Sequence, residues 1–304
     1  MKVLNNIELV DLAIYTNKTL ILTDFHIGYE EALNKQGLMV PRFQFQEIMK
    51  RLEKIFSRLK NKKVERIIVN GDLKHEFGTI SEQEWRHTLR LLDYFGQRCS
   101  EIILIKGNHD TILGPIAKKR NVRVLNYYLI GPSTMGRSTI NKENIEKNKN
   151  SNPIKKISIN NKTQLKINKN SIKKIMINNK IQKSLKNKKI NNDKKFLKNK
   201  ILVIHGDKIP AKSLLGGIST IIIGHEHPAV SVREGARAEL FKAYLAGKWK
   251  KFNIIVQPSF NLVVEGTDVL KEEVLSPFLK NNLGNFEAIV VADKLYGFGK
   301  LRYL

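Results

Sequence analysis

The sequence predicts an α/β fold in which two sheets face each other and helices lie outside them. Three observations carry that expectation. Short β-branched apolar runs, too brief for helices, recur along the chain. The first three are separated by stretches with apolar residues at helical spacing, which makes βαβ units and a parallel sheet. Beyond His227, short strands broken by turns predominate, and a second sheet facing the first would bury them.

In order, TLILT at 19–23 is the first run. Phe45, Ile48, Met49, Leu52, Ile55, Phe56 and Leu59 then mark an amphipathic helix over 41–60, with Pro41 near its start. RIIV at 66–69 follows. Ser81 and Glu84 form a capping box ahead of Trp85, Leu89, Leu92 and Phe95, a second helix. IILI at 102–105 is the third strand and VRVLNYYLI at 122–130 another. ILVI at 201–204 and TIII at 220–223 come next. Apolar runs at 253–256, 262–264 and 288–291 are punctuated by Gly247, Pro258 and Gly266.

At 304 residues the chain can bury a sizeable core, and its net charge of +26 suggests nucleic acid until it is located. Residues 137–200 hold 20 Lys and Arg against Glu143, Glu146 and Asp193, a net of +17. The rest holds 34 basic and 25 acidic groups, a net of +9. The 137–200 segment is rich in Asn, Lys and Ile, with Phe196 its only aromatic residue. It reads as a disordered, low-complexity insertion within one 1–304 domain, with at most a marginal hairpin at Asn160-Asn161. Its charge would attract phosphates, but it lacks aromatics to stack on bases. No apolar run approaches ~18 residues, so no membrane span is expected. The N-terminus does not resemble a signal peptide, and Cys99 is the sole cysteine, so a cytoplasmic location is expected.

Five runs each end in metal-type ligands: Asp24-Phe25-His26, Asn70-Gly71-Asp72, Gly107-Asn108-His109-Asp110, His205-Gly206-Asp207 and Gly224-His225-Glu226-His227. The carboxyl ends of strands are where open α/β sheets place their chemistry. Asp24 with His26, and His225 with His227, are i, i+2 pairs, whose side chains share one side of an extended segment. Carboxylate, imidazole and amide without thiolate suit Mn, Fe or Zn.

The order DFH, GD, GNHD, H, GHEH resembles that of the calcineurin-like metallophosphoesterases, and within them the SbcD-related phosphoesterases of archaea. The resemblance implies a four-layer α-β-β-α double β-sandwich and a dinuclear site, Mn²⁺ first, with Fe, Zn or Ni as alternatives. It implies that Asp24, His26 and His227 hold one ion, that Asn108, His205 and His225 hold the other, and that Asp72 bridges them. His109 would face the leaving oxygen and Asp110 would orient it. Two divalent ions, two aspartates and a bridging hydroxide sum to +1, which attracts a phosphoester. The expected activity is metal-dependent phosphoester hydrolysis, as a phosphodiesterase or nuclease. A phosphatase or pyrophosphatase for a small nucleotide and a non-catalytic scaffold are the alternatives. No sizeable capping segment follows GHEH, a departure from the full double-strand-break nuclease pattern. His75 is open between a supporting and a structural role, and His87 reads as structural. Arg42, Arg233 and Arg237 are candidates to meet phosphate, although single arginines are more often surface residues.

Overall fold

The computed structural model describes residues 1–4, 6–131, 199–280 and 283–304. The 137–200 insertion and its hairpin lie outside the described residues, except for residues 199 and 200.

The chain opens with three strands that the sequence reading passed over: β1 (Lys2–Leu4), β2 (Ile7–Val10) and β3 (Ala13–Thr16). They form an antiparallel meander leading into β4 (Thr19–Thr23). From β4 the chain winds through α1 (Tyr29–Lys35) and α2 (Gln44–Arg58) to β5 (Arg66–Asn70). It continues through α3 (Glu82–Gly96) to β6 (Glu101–Ile105), and through α4 (Gly114–Arg120) to β7 (Arg123–Leu125). Strands β4 to β7 pair in parallel, as the βαβ reading requires, and complete a seven-stranded sheet in sequence order.

The expected single strand over 122–130 is two strands in different sheets. After β7 the chain breaks at Asn126, and β8 (Tyr127–Ile130) starts the second sheet, antiparallel to β9 (Lys200–Ile204). Next come β10 (Ile218–Ile223), β11 (Pro228–Glu234), β12 (Arg237–Trp249) and β13 (Phe252–Val256). Short β14 (Thr267–Asp268), β15 (Glu287–Val291) and β16 (Leu295–Lys300) follow. Here β10 lies parallel to both β9 and β13, while β11 and β12 form an antiparallel hairpin.

Side chains of the second sheet alternate between two cores with the two-residue period of a strand. Ile201, Val203, Ile222, Tyr244, Ile255 and Ile289 join the core shared with the first sheet. Their neighbours Leu202, Ile221, Ile223, Ala243, Leu245, Ile254 and Val290 face the opposite way. That second face is covered among the described residues by Val269, Phe278, Leu279 and Phe286, all on turns and irregular chain. The helices serve the first sheet, with Ile48, Leu52 and Ile55 of α2 and Leu89, Leu92 and Phe95 of α3 in its core. The α/β fold of two mixed sheets with helices is therefore as expected.

Local chemistry sets where the helices begin. The capping box at Ser81 and Glu84 is formed as read, and Glu84 accepts from Ser81 N at 2.7 Å. Helix α2 starts three residues after Pro41, and its own cap residue, Phe43, supplies no side-chain acceptor. Glu30 of α1 does so instead, accepting from the backbone N–H groups of Phe43 and Gln44.

Two late readings change. Gly247 is no turn; it lies inside β12, where a Cβ would come within 2.6 Å of the Phe286 ring. Residues 262–264 are not a strand but part of an irregular loop gripped from below by Lys242. The buried Lys242 ammonium donates to Ser259 Oγ (3.1 Å), Val264 O (2.8 Å) and Glu265 O (3.0 Å). Burial pushes this amine down to about 8, which still leaves it charged at neutral pH. Lys242→Met would leave those oxygens without their donor. The expected loss is roughly 2–4 kcal/mol of unfolding free energy, read as a lower urea midpoint at pH 7.

Candidate metal centre

Strands β4, β5 and β6 of the first sheet and β9 and β10 of the second each run into one of the five polar motifs. Seven candidate ligands meet there: Asp24, His26, Asp72, Asn108, His205, His225 and His227. Around one point, His26 Nε2 and His227 Nε2 are 3.3 Å apart, and Asp24 Oδ2 is 3.4 Å from His227 Nε2. Around a second, His205 Nε2 lies 2.9 Å from Asn108 Oδ1 and 3.1 Å from His225 Nδ1. Asp72 Oδ2 belongs to both groups, 3.7 Å from His26 Nε2 and 3.5 Å from His205 Nε2.

These separations fit metal coordination. Bonds of about 2.0–2.2 Å to nitrogen and oxygen, at angles of roughly 90–120°, place neighbouring ligands of one ion roughly 2.8–3.8 Å apart. Asp24 Oδ1 and His205 Nδ1 are buried without a hydrogen-bond partner, although they lie 3.4 Å from each other. Nitrogen and oxygen donors without sulfur suit a divalent ion of intermediate hardness. Two ligand clusters of this kind are present among the described residues: Asp72 with His205 and His225, and His26 with His75 and His109. In the second cluster we take His227 as the better partner for His26, because His75 approaches only the far nitrogen, Nδ1, of that ring at 3.2 Å.

The local backbone differs from the extended form expected of the i, i+2 pairs. Asp24 (φ 49°), His26 (φ 44°), His225 (φ 63°) and His227 (φ 49°) are all left-handed. Their side chains converge through turns and not through strand alternation. Such conformations cost of order 1–3 kcal/mol each at non-glycine residues and cluster at functional sites. The motif glycines serve close approach. A Cβ on Gly71 would collide with His205 Nδ1, and one on Gly107 would collide with the Asp72 carboxylate.

Electrostatics follow from burial and proximity. Burial opposes the charge of Asp24, but the His227 and His205 rings outweigh it and hold its carboxyl well below the usual range. For Asp72, burial prevails over the attraction of His205, with Asp24 and Asp110 adding repulsion, and the carboxyl rises to about 7. His26 and His225 are pushed down chiefly by burial, the latter to about 4, so both are neutral with a lone pair to offer. His205 is the exception: Asp24 overcomes the burial and lifts it to about 9.

His109 N donates to Asp72 Oδ1 at 2.8 Å, which ties the GNHD loop to the centre. Its ring Nδ1 meets His75 O at 2.5 Å, so this nitrogen carries the proton and Nε2 is left for a ligand. Asp110 does not reach that ring. Its buried carboxylate accepts from Leu73 N (3.1 Å), Lys74 N (3.4 Å) and Gly107 N (3.2 Å), so any orientation of His109 runs through the backbone. His75 stands beside the centre, and His87 stacks on Phe45 with centroids 4.3 Å apart, a packing role. Arg233 and Arg237 sit towards the tip of the β11–β12 hairpin, roughly 17 Å or more of strand beyond Pro228. Arg42 is exposed among Glu31, Glu82 and Arg86.

Several supporting residues carry no motif. Lys74 Nζ donates to His109 O at 3.1 Å. Gln44 Nε2 donates to Phe25 O (3.3 Å) and Asn261 Oδ1 (3.0 Å), joining the DFH loop to the loop held by Lys242. Lys74 and Gln44 sit among other polar and charged residues in sequence, so nothing local sets them apart from surface positions.

Among solved structures, the chain is similar to the nuclease MPE from Pseudomonas putida at 13% identity, covering 95% of this chain and 93% of that one with a TM-score of 0.48. It is also similar to a double mutant of Vps29 from Entamoeba histolytica at 12% identity, covering 92% of this chain and 99% of the other with a TM-score of 0.30. No curated protein matches. Residues 18–229 match the family model described as calcineurin-like phosphoesterase. That span is more than half of the chain, runs from β4 into β11 and holds all seven candidate ligands, and the chain therefore belongs to the calcineurin-like phosphoesterases.

Proposed function

We propose that this metallophosphoesterase is a phosphodiesterase or nuclease related to the SbcD-type enzymes, with two Mn²⁺ ions. One observation carries the reading: two groups of nitrogen and oxygen atoms at coordination spacing share a single carboxylate oxygen, Asp72 Oδ2. Asp24, His26 and His227 would hold one ion, and Asn108, His205 and His225 the other. When bound, the ions would polarise the phosphoryl oxygens and supply hydroxide at neutral pH. The SbcD kinship rests on the motif order. The single 1–304 domain with its 137–200 insertion and the cytoplasmic location rest on composition.

The protein's own part is to hold and deliver. Hydrolysis adds water across one P–O bond, and the departing oxygen needs a proton. His109 is the group to give it, from Nε2 of its doubly protonated ring, and returns to the neutral form whose remaining Nδ1 hydrogen stays on the His75 carbonyl; burial, which lowers the pKa of this ring, favours that release. Lys74 fixes the His109 carbonyl, and Asp110 fixes the turns on either side. The neutral rings of His26 and His225 present lone pairs without a competing proton.

Three outcomes are expected. With Mn²⁺, the protein should release nitrophenol from bis-p-nitrophenyl phosphate. His109→Ala should lower kcat by roughly 10²–10⁴-fold, and Asp72→Asn should abolish turnover; undiminished turnover in EDTA would count against the whole reading. Gly71→Ala should keep the far-ultraviolet spectrum but lower the bound metal measured by mass spectrometry, because the new methyl occupies the place of His205 Nδ1. Faster cleavage of single- or double-stranded DNA than of a panel of small nucleotides would support the nuclease, and the reverse order would favour a small-molecule phosphatase or pyrophosphatase.

A further inference from the structure

Next to His109 stands an aromatic side chain that the metal chemistry does not use. Phe77 is 57% exposed, and its ring centroid is 3.8 Å from that of His109 with 33° between the planes. An exposed phenyl at the end of a loop would ordinarily be mobile, but this loop is pinned on both sides. The buried Glu84 carboxylate accepts from His75 N (3.0 Å) and Glu76 N (2.7 Å), and Gly78 N donates to Thr111 Oγ1 at 3.2 Å. Lys74 Nζ adds a contact to Glu76 O. His75 also stacks with His109, with centroids 5.2 Å apart and 28° between the planes.

The Phe77 ring is thus held by neighbours on one face while its remaining surface meets solvent. Preorganising an apolar ring in water brings no gain in folding; the gain comes when a flat partner covers it. Stacking of a base on an aromatic side chain contributes about 1–3 kcal/mol and accepts any base, because every base has a π-face.

We propose that Phe77 is a stacking platform for a nucleobase of the substrate, so that the ester hydrolysed is one with a base next to the scissile phosphate. The inference rests on the phosphoesterase reading above and narrows it from any phosphodiester to nucleotidyl esters. No ring other than that of the substrate is needed, and neither strand pairing nor sequence matters to the contact.

The test compares the dinucleotide TpT with the same diester in which both bases are replaced by abasic tetrahydrofuran, using Mn²⁺-loaded full-length protein. Wild type should favour TpT in kcat/KM by roughly tenfold or more. Phe77→Ala should bring the two substrates to near parity by slowing TpT far more than the abasic diester, Phe77→Trp should keep the preference, and metal content should be unchanged in both. If Phe77→Ala slows both substrates equally, or neither, the platform is refuted. Should wild type cleave neither diester, the phosphodiesterase reading fails on its own account. Calorimetry with Mn²⁺ then still decides Phe77: tighter binding of thymidine 5′-monophosphate than of deoxyribose 5-phosphate, lost in Phe77→Ala, supports the platform, and equal binding overturns it.

Discussion

The arrangement of the centre depends on one carboxylate oxygen, Asp72 Oδ2, standing within 3.7 Å of imidazole nitrogens contributed by both sheets. A buried carboxylate beside the neutral ring of His26 is unfavourable unless positive charge joins it. The site shows this demand directly. Asp24 holds a proton on His205 up to about 9 against the cost of burial, while Asp72 is lifted towards neutrality by the same burial. Divalent cations answer the demand better than one shared proton, because each can satisfy several lone pairs at once. Binding to the folded form alone also stabilises it by mass action.

That demand explains why strain is concentrated where it is. Four candidate ligands occupy left-handed backbone, and Gly71 and Gly107 leave no room for a methyl group beside His205 and Asp72. The parallel strands supply the compensation. β4, β5 and β6 pair in register, as do β10 and β13 in the other sheet, and β9 pairs in parallel with β10 from Thr220 onward after one register shift. Their fully buried Leu20, Ile68, Leu104, Ile222 and Ile255 provide a rigid base from which the turns project. Strand ends are fixed by ladders, so a sharp turn at each end yields a reproducible direction for its side chain.

The sequence was informative where one residue type answers one local need. Ser81 and Glu84 announce a helix start because a capping box needs only those two side chains and their spacing. The DFH and GHEH motifs name the ligands because few other roles call for that cluster of types. The geometry of those pairs is not encoded in their spacing, since the extended and left-handed forms give the same i, i+2 separation in sequence. The strand over 122–130 was likewise legible as apolar, but Asn126 looks like any polar residue, and only the competition between two sheets makes it a crossing point. Strands β1 to β3 are short and punctuated by Asn and Asp, and their pairing depends on each other more than on any run of their own. The role of Lys242 was hidden for a further reason: nothing near it in sequence contacts its ammonium, which reaches residues 259–265.

Asp11 and Asp268 are buried acids paired with Arg51 and Lys271, and the other buried acids divide into two kinds of work. Asp24 and Asp72 face the centre, whereas Glu30, Glu84, Asp110 and Glu226 accept chiefly from backbone N–H groups of loops. Loops leaving the carboxyl ends of strands have no ladder partner for their N–H groups, and each such group must be satisfied if it is to be buried. A carboxylate offers several lone pairs in a compact fork, so one side chain can clamp two or three donors that peptide carbonyls could meet only through a longer turn. Asp110 does this for the GD and GNHD loops together, and Glu84 for the start of α3 and the 75–76 turn. Both clamps act on chain that carries His109 or Phe77 and neither touches those rings. The acids set apart from the centre thus hold in place the loops that carry Asp72, Asn108 and His109.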